Sequence, residues 1–259
     1  SDQITKFLSD PYKVDEAQGK VTNRDPVLMD REIDPNNPED KQGKWVLGEG
    51  AVGIDGKELD ASKIRQAISA VDRLQIVGVR PRPEQLTLQA LQSKGFFVTP
   101  DGRRLFGNEG EVKAISEDGV VYTLYFGEIT LDSGLALTAG ADDGSKPAEA
   151  KEGDDKKDAN RYMFVDVGYD PASDLTVNPA GPPPDEPEGA KRAKQLQARF
   201  DKWFYVISDA SFKQIHKDKA EFFKDASPDS GPTAPVPGAP AKPAKPAPAK
   251  KPAAPAPAP

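Results

Sequence analysis

Three glutamates are the first candidates for chemistry. Glu109 and Glu111 stand two residues apart at the start of an expected strand, and Glu128 closes the strand that returns from it. Paired carboxylates hydrolyse a glycosidic bond when one protonates the leaving oxygen and the other attacks or activates water. That work needs them on opposite walls of a sugar-binding cleft, and no spacing here places any pair so. Other acid pairs are Glu117-Asp118, Asp142-Asp143 and Asp154-Asp155. A calcium loop sets its oxygens at fixed alternating positions around a turning glycine. Residues 142–155 put Pro147 and alanines where ligands belong, so they read as a solvated charged loop.

His216 is the one histidine, within Lys213-Gln-Ile-His-Lys-Asp-Lys. A triad or a histidine-based zinc site would rest on it alone. Its charged neighbours predict a solvated position on the polar part of a helix. Cysteine is absent, which removes disulfides, thiolate metal sites and cysteine nucleophiles. Gly48-Glu-Gly50-Ala-Val-Gly53 matches G-x-G-x-x-G, but the dinucleotide fingerprint must open a helix directly after a strand. Here Ile54-Asp55-Gly56 supplies another turn, so the glycines read as a loop. Walker A, G-x-S-x-G and H-E-x-x-H patterns are missing. The expectation is a protein with no catalytic, cofactor-binding or metal-binding residues, and not an enzyme.

The elements that would position these residues alternate between apolar stripes and turns. Residues 44–47 (KWVL) read as a strand. Helix 61–74 places Ile64, Ile68 and Val71 on one stripe, with Asp60 or Ser62 as N-cap. Residues 75–79 are strand-like, and 83–93 form a short helix that Gly95 ends in the left-handed region. Strands then follow at 96–98, 104–106, 111–116 and 120–126. Turns at Pro100-Asp101-Gly102, Gly107-Asn108 and Glu117-Asp118-Gly119 join them. Further strands are expected at 161–169 and 203–207, and helices at 191–202 and 211–223. The sum is an α+β fold, an antiparallel sheet of hairpins with helices packed on one face. The 96–126 hairpins, 161–169 and 203–207 are expected to complete one sheet.

Composition sets the outer limits. The chain has 259 residues and a net charge of −7. Residues 228–259 hold 12 of the 26 prolines and read as a disordered Pro/Ala/Lys tail. Lys242, Lys245, Lys250 and Lys251 against Asp229 give that tail +3, which leaves −10 on the remainder. So acidic a body repels phosphate backbones, and nucleic acid is not an expected partner. No apolar run is long enough to span a bilayer. The chain opens at SDQITKFL without Met, as a processed piece of a longer protein would. The expected organisation is an irregular N-terminal arm over 1–40, or the end of a preceding unit. An α+β domain over 41–227 follows, with low-complexity inserts at 139–160 and 178–192, and then the tail.

Several phrases together resemble one family: KWVL, LQIVGVRPRPEQL, GFFVTPDGRRLFGNEGEV followed by DGVVYTLYFGEI, NRYMFVDVGYD and RFDKWFYVISDASFKQI. They look like the uncharacterised DUF4340 family in its planctomycete-like form, over roughly residues 40–224. The resemblance implies an extracytoplasmic protein of the bacterial envelope, membrane-anchored through an N-terminal segment missing from this chain. It implies a protein partner among gliding-type ABC-transporter components. It supplies no reaction and no site residues. The leading expectation is a non-catalytic binding or scaffold module with its surface on the 107–111 turn and the 61–74 helix. The alternative is a glycan-binding or hydrolytic domain acting on a cell-wall polymer.

Overall fold

The computed structural model describes residues 3–15, 20–34, 42–83, 87–99, 101–130, 159–178, 181 and 184–226. The acid pairs at 142–143 and 154–155, most of the 139–160 insert and the 228–259 tail lie outside them. The chain divides into two units, Ser1–Asp225 and Ala226–Pro259, and the first carries the fold.

That fold is α+β, built on one large antiparallel sheet. Its strands in chain order are β1 (Ile4–Asp10), β2 (Lys13–Asp15), β3 (Lys20–Thr22), β4 (Val27–Glu32), β5 (Lys44–Leu47) and β6 (Lys57–Leu59). Next come helix α1 (Ala61–Asp72), β7 (Ile76–Pro81), the short α2 (Leu88–Gln92), β8 (Phe96–Val98), β9 (Leu105–Gly107), β10 (Glu111–Ser116) and β11 (Asp118–Thr130). The chain ends in β12 (Asn160–Asp174), α3 (Glu188–Phe200), β13 (Trp203–Ser208), α4 (Asp209–Ile215), a 3₁₀ turn (Lys219–Phe222) and β14 (Phe223–Asp225). Eight strands form the main sheet in the order β5-β4-β1-β10-β11-β12-β13-β7.

The expected arm over 1–40 is corrected here. Residues 4–10 form β1, a central strand between β4 and β10, with Phe7 opposite both Met29 and Ala114. The hairpin of 96–98 with 105–107 also differs from expectation: β8 and β9 pair only with each other and lie outside the main sheet. The 178–192 insert ends earlier than expected, because α3 begins at Glu188. The expected 211–223 helix is three pieces. Its first stops at Ile215, where His216 takes extended backbone, and a capping box between Asp218 and Glu221 starts the 3₁₀ turn.

Strand alternation divides the core between the two sheet faces. One face carries Phe7, Val112, Leu124, Met163, Val165 and Ile207, covered by Ile64 and Ile68 of α1 and by Phe212 and Ile215 of α4. Helix α3 covers the same face with Ala193, Leu196 and Phe200. On the other face Tyr125, Phe164 and Phe204 pack against Phe96 of β8 and Leu91 of α2. The sheet centre is therefore buried on both sides, which is why residues 123–127 show no exposed position.

Two backbone details hold these layers. Gly95 adopts φ +79 just after α2 and donates its N–H to the Gln92 carbonyl, the left-handed helix end foreseen for it. Gly189 lies so close to β11 that a Cβ there would meet the Asp118 carbonyl oxygen at 1.8 Å. That contact sets how near the start of α3 comes to the sheet.

Candidate functional site

The sheet face under α1 and α3 is not completely filled. A cleft of about 430 Å³ runs between the two helices. Its floor is Ala114, Leu124, Met163 and Val165, from three adjacent strands. Ile68, Val71 and Leu74 of α1 form one wall, and Phe200 of α3 stands opposite. The volume falls within the range of ordinary ligand sites, and an apolar lining with a few polar groups at one end is their usual chemistry. The cleft extends to Ile76, the first residue of β7, whose side chain is 51% exposed.

The polar end is built from residues far apart in sequence. Arg192 of α3 bonds Asp118 through Nη1 at 2.8 Å and reaches the Tyr122 hydroxyl with Nη2 at 3.3 Å. Ser116 donates its hydroxyl to the other oxygen of Asp118. Burial works to raise the Asp118 carboxyl, but the hydrogen bonds from Ser116 and Arg192 and the Arg192 charge outweigh it. The net result is a carboxyl held below its usual range. Burial chiefly pushes the Tyr122 phenol up. The group thus stays an ionised, internally satisfied cluster at neutral pH, with no free base and no activated nucleophile.

The sequence candidates fall elsewhere. Glu111 lies on the opposite sheet face, 1% exposed, next to Asp10 in the β1–β10 register. Tyr12 donates to Glu111 Oε2 at 3.0 Å, while Arg104 Nη2 and Lys113 Nζ stand 3.4 Å from Oε1. Asp10 is likewise buried and takes two bonds from Arg24, Nε at 2.9 Å and Nη2 at 2.7 Å, both to Oδ2. Burial raises the Asp10 carboxyl, Arg24 opposes that, and the neighbouring Glu111 charge adds to it. These paired carboxylates are buried, held by side chains from β10 and from the loops beside the sheet, and meet no solvent. A glycosidase pair must face a substrate. Glu109 pairs with Lys13 at 3.6 Å, and Glu128 accepts from Asn108 Nδ2 at 2.7 Å.

The 107–111 turn, expected as a binding surface, is packed on several sides. Asn108 accepts from the Val14 N–H and donates its own N–H to Gly95, and Glu109 donates its N–H to Phe126. The 61–74 segment, the other expected surface, does present exposed side chains at Lys63, Arg65 and Gln66 of α1 and at its C-cap Arg73.

His216 is not the solvated helix residue expected from its charged neighbours. It caps the C-terminus of α4, its ring stacks on Phe212 at 4.7 Å between centroids, and it meets the edge of Phe126 at 6.0 Å. Its Nε2 is buried without a hydrogen-bond partner among the described residues. Burial lowers its pKa, against the attraction of Glu109 and Asp218. The four-residue spacing from Phe212 was the available signal, since residues so spaced stack on one helix face. The glycines at 48 to 53 follow β5, but the next regular element is β6 and α1 begins only at Ala61, so no helix opens at them. Among the described residues no group of three or more His, Cys, Asp or Glu side chains is gathered to hold a metal. No helix among them is long and apolar enough to cross a membrane.

Comparisons with protein-family models, curated proteins and solved structures found no match to this chain. What the protein does must be read from its own geometry.

Proposed function

We propose that this chain is a non-catalytic binding module that holds a protein partner in the cleft between α1 and α3. The apolar cleft is the observation that supports it. Its polar end is already satisfied by the Arg192–Asp118–Tyr122 cluster, so it offers shape and apolar surface rather than a reactive group. The exposed Ile76 sits where the cleft meets β7, and β7 ends the strand order of the main sheet. A protein segment can bury an apolar side chain in the cleft and continue along that strand, the two habits of peptide recognition at sheet edges. We draw its setting from the resemblance of its sequence phrases to the DUF4340 family, which implies the bacterial envelope, beside a transporter-type or gliding-type complex. The glycan reading draws no support from Glu109, Glu111 or Glu128, which face no common cleft.

A photo-crosslinking residue at Asp72, on the cleft rim, tests the proposal in the cells that make the protein. The expected result is one discrete adduct with an identified envelope protein, absent from a control probe at the exposed Leu175 and lost in Ile76→Glu. Equal adducts from both positions, or only low-mass adducts at Asp72, would overturn it.

A further inference from the structure

A second groove, about 560 Å³, runs along the solvent side of α1, between it and the segment from Gln214 to Phe222. Four cationic side chains line it: Lys63 and Arg65 from the helix, Arg73 at its C-cap and Lys217 from the facing segment. The one carboxylate in its lining, Glu221, is already taken by Lys217 at 3.0 Å. The Lys63, Arg65 and Arg73 side chains form no ion pair among the described residues, although the Lys63 backbone N–H caps onto Asp60 at 3.3 Å. The groove lining therefore carries four cations against one carboxylate, on a body whose net charge outside the tail is −10. So sharp a local reversal of sign attracts anions and repels cations.

The spacing selects the kind of anion. Lys63 and Arg73 are ten residues apart, about 15 Å along a helix axis. Cations spread over that length suit an extended chain with charges at intervals, not one phosphate gripped at a point. An extended peptide covers that distance in about five residues. Gln66, Ser69 and Gln214 lie between the cations and can bond a peptide backbone. Among the described residues the one ring in the lining is Phe222, itself 1% exposed, so they offer no aromatic platform to stack a sugar or a base.

We infer that the α1 groove binds an extended acidic peptide segment, Asp- or Glu-rich, of a protein partner. The inference rests on the binding-module reading for the partner being a protein. It concerns the opposite flank of α1 from the cleft, so one partner could wrap the helix on both sides.

The test uses the whole chain and a fluorescent hexaglutamate peptide, titrated by anisotropy at low salt. Binding is expected, weakening as salt rises and the screening length falls from about 30 Å at 0.01 M to about 10 Å at 0.1 M. The double reversal Arg65→Glu/Arg73→Glu is expected to weaken it about tenfold or more, through lost attraction and new repulsion. Both side chains are exposed, so the thermal midpoint should stay put and the loss cannot be unfolding. Arg65→Lys/Arg73→Lys should retain most of the affinity. Absence of peptide binding at low salt, or binding indifferent to the double reversal, overturns the inference. So does stronger capture of a sulfated oligosaccharide or a single-stranded DNA oligomer than of the peptide. Ile76→Glu should leave peptide binding unchanged, so failure of the groove and failure of the cleft are read separately.

Discussion

The Tyr12 hydroxyl donates to Glu111 Oε2 at 3.0 Å across 99 residues of sequence, and both side chains are fully buried. This bond ties the link after β1 to the start of β10 on the face away from the cleft. Glu111 is tolerable inside the protein because Tyr12, Arg104 and Lys113 surround it. Removing one donor leaves a buried carboxylate short of a partner, and bonds to charged groups are the costly ones to lose. Tyr12→Phe should destabilise the fold by about 2 kcal/mol, read as a lower urea midpoint with an unchanged slope. A smaller loss than in the exposed control Thr22→Ala would show that the bond does not hold the strands.

Arg24 and Asp10 form the companion pair, and it predicts a pH dependence. Burial raises the Asp10 carboxyl against the pull of Arg24. For an acid whose folded pKa lies above its unfolded value, the charged form costs stability at neutral pH. That cost is relieved as pH falls through the folded pKa toward the unfolded one. Arg24→Ala removes the main opposing charge and should move the folded pKa further up. The variant should lose about 2 kcal/mol at pH 7, less than a fully buried pair because Arg24 is half exposed, and regain part of it as pH falls through the folded Asp10 pKa. Urea midpoints of parent and variant as pH is lowered from 7 decide the matter. A deficit that is constant with pH would mean that Asp10 is not the group left unpaired.

The lone histidine gives a clean titration. His216 stacks on Phe212 and its pKa is lowered by burial. A base with a depressed folded pKa contributes stability that is whole above its unfolded value near 6.5. That stability drains away as pH falls below that value, because the unfolded chain takes the proton first. The imidazole Cε1–H resonance, one signal in this protein, should titrate with a midpoint below 6.5. His216→Phe should flatten the fall in stability between pH 6.5 and 5. A midpoint at or above 6.5 would place the ring in water.

Local patterns in the sequence carried much of the fold. Ile64, Ile68 and Val71 marked α1, and the alternating 111–116 and 120–126 runs marked the β10–β11 hairpin, now seen with Val112 opposite Leu124. Strand β1 escaped because its buried side is not apolar throughout. Thr5 and Ser9 lie inside with Phe7, their hydroxyls bonded to the carbonyls of Ile115 and Lys217. No window of hydrophobicity shows an inward serine that has a partner 208 residues away. The cleft was illegible for the same reason. Its floor comes from three strands, and its polar end joins Asp118 to Arg192 across 74 residues. A sheet assembled by such distant pairings places its site by topology, not by a motif.

Gly189 converts that topology into a prediction about the cleft. It is the second residue of α3, and a Cβ there would run into the Asp118 carbonyl oxygen at 1.8 Å and the Tyr169 ring at 3.0 Å. Backbone cannot retreat cheaply inside a paired sheet, so Gly189→Ala must push the first turn of α3 outward. The Arg192–Asp118 bond, one turn along the same helix, should lengthen with it, and the cleft should widen at its polar end. The expected cost is about 2 kcal/mol, typical of overpacking at a close contact. The telling measurement is amide exchange in α3 against α1. Faster exchange at residues 190–196 with α1 unchanged would show that Gly189 seats the α3 wall. Equal effects on both helices would mean that the fold as a whole has loosened. A variant as stable as the parent, with an intact Arg192–Asp118 bond, would mean that α3 has slack against the sheet and that the glycine is not needed there.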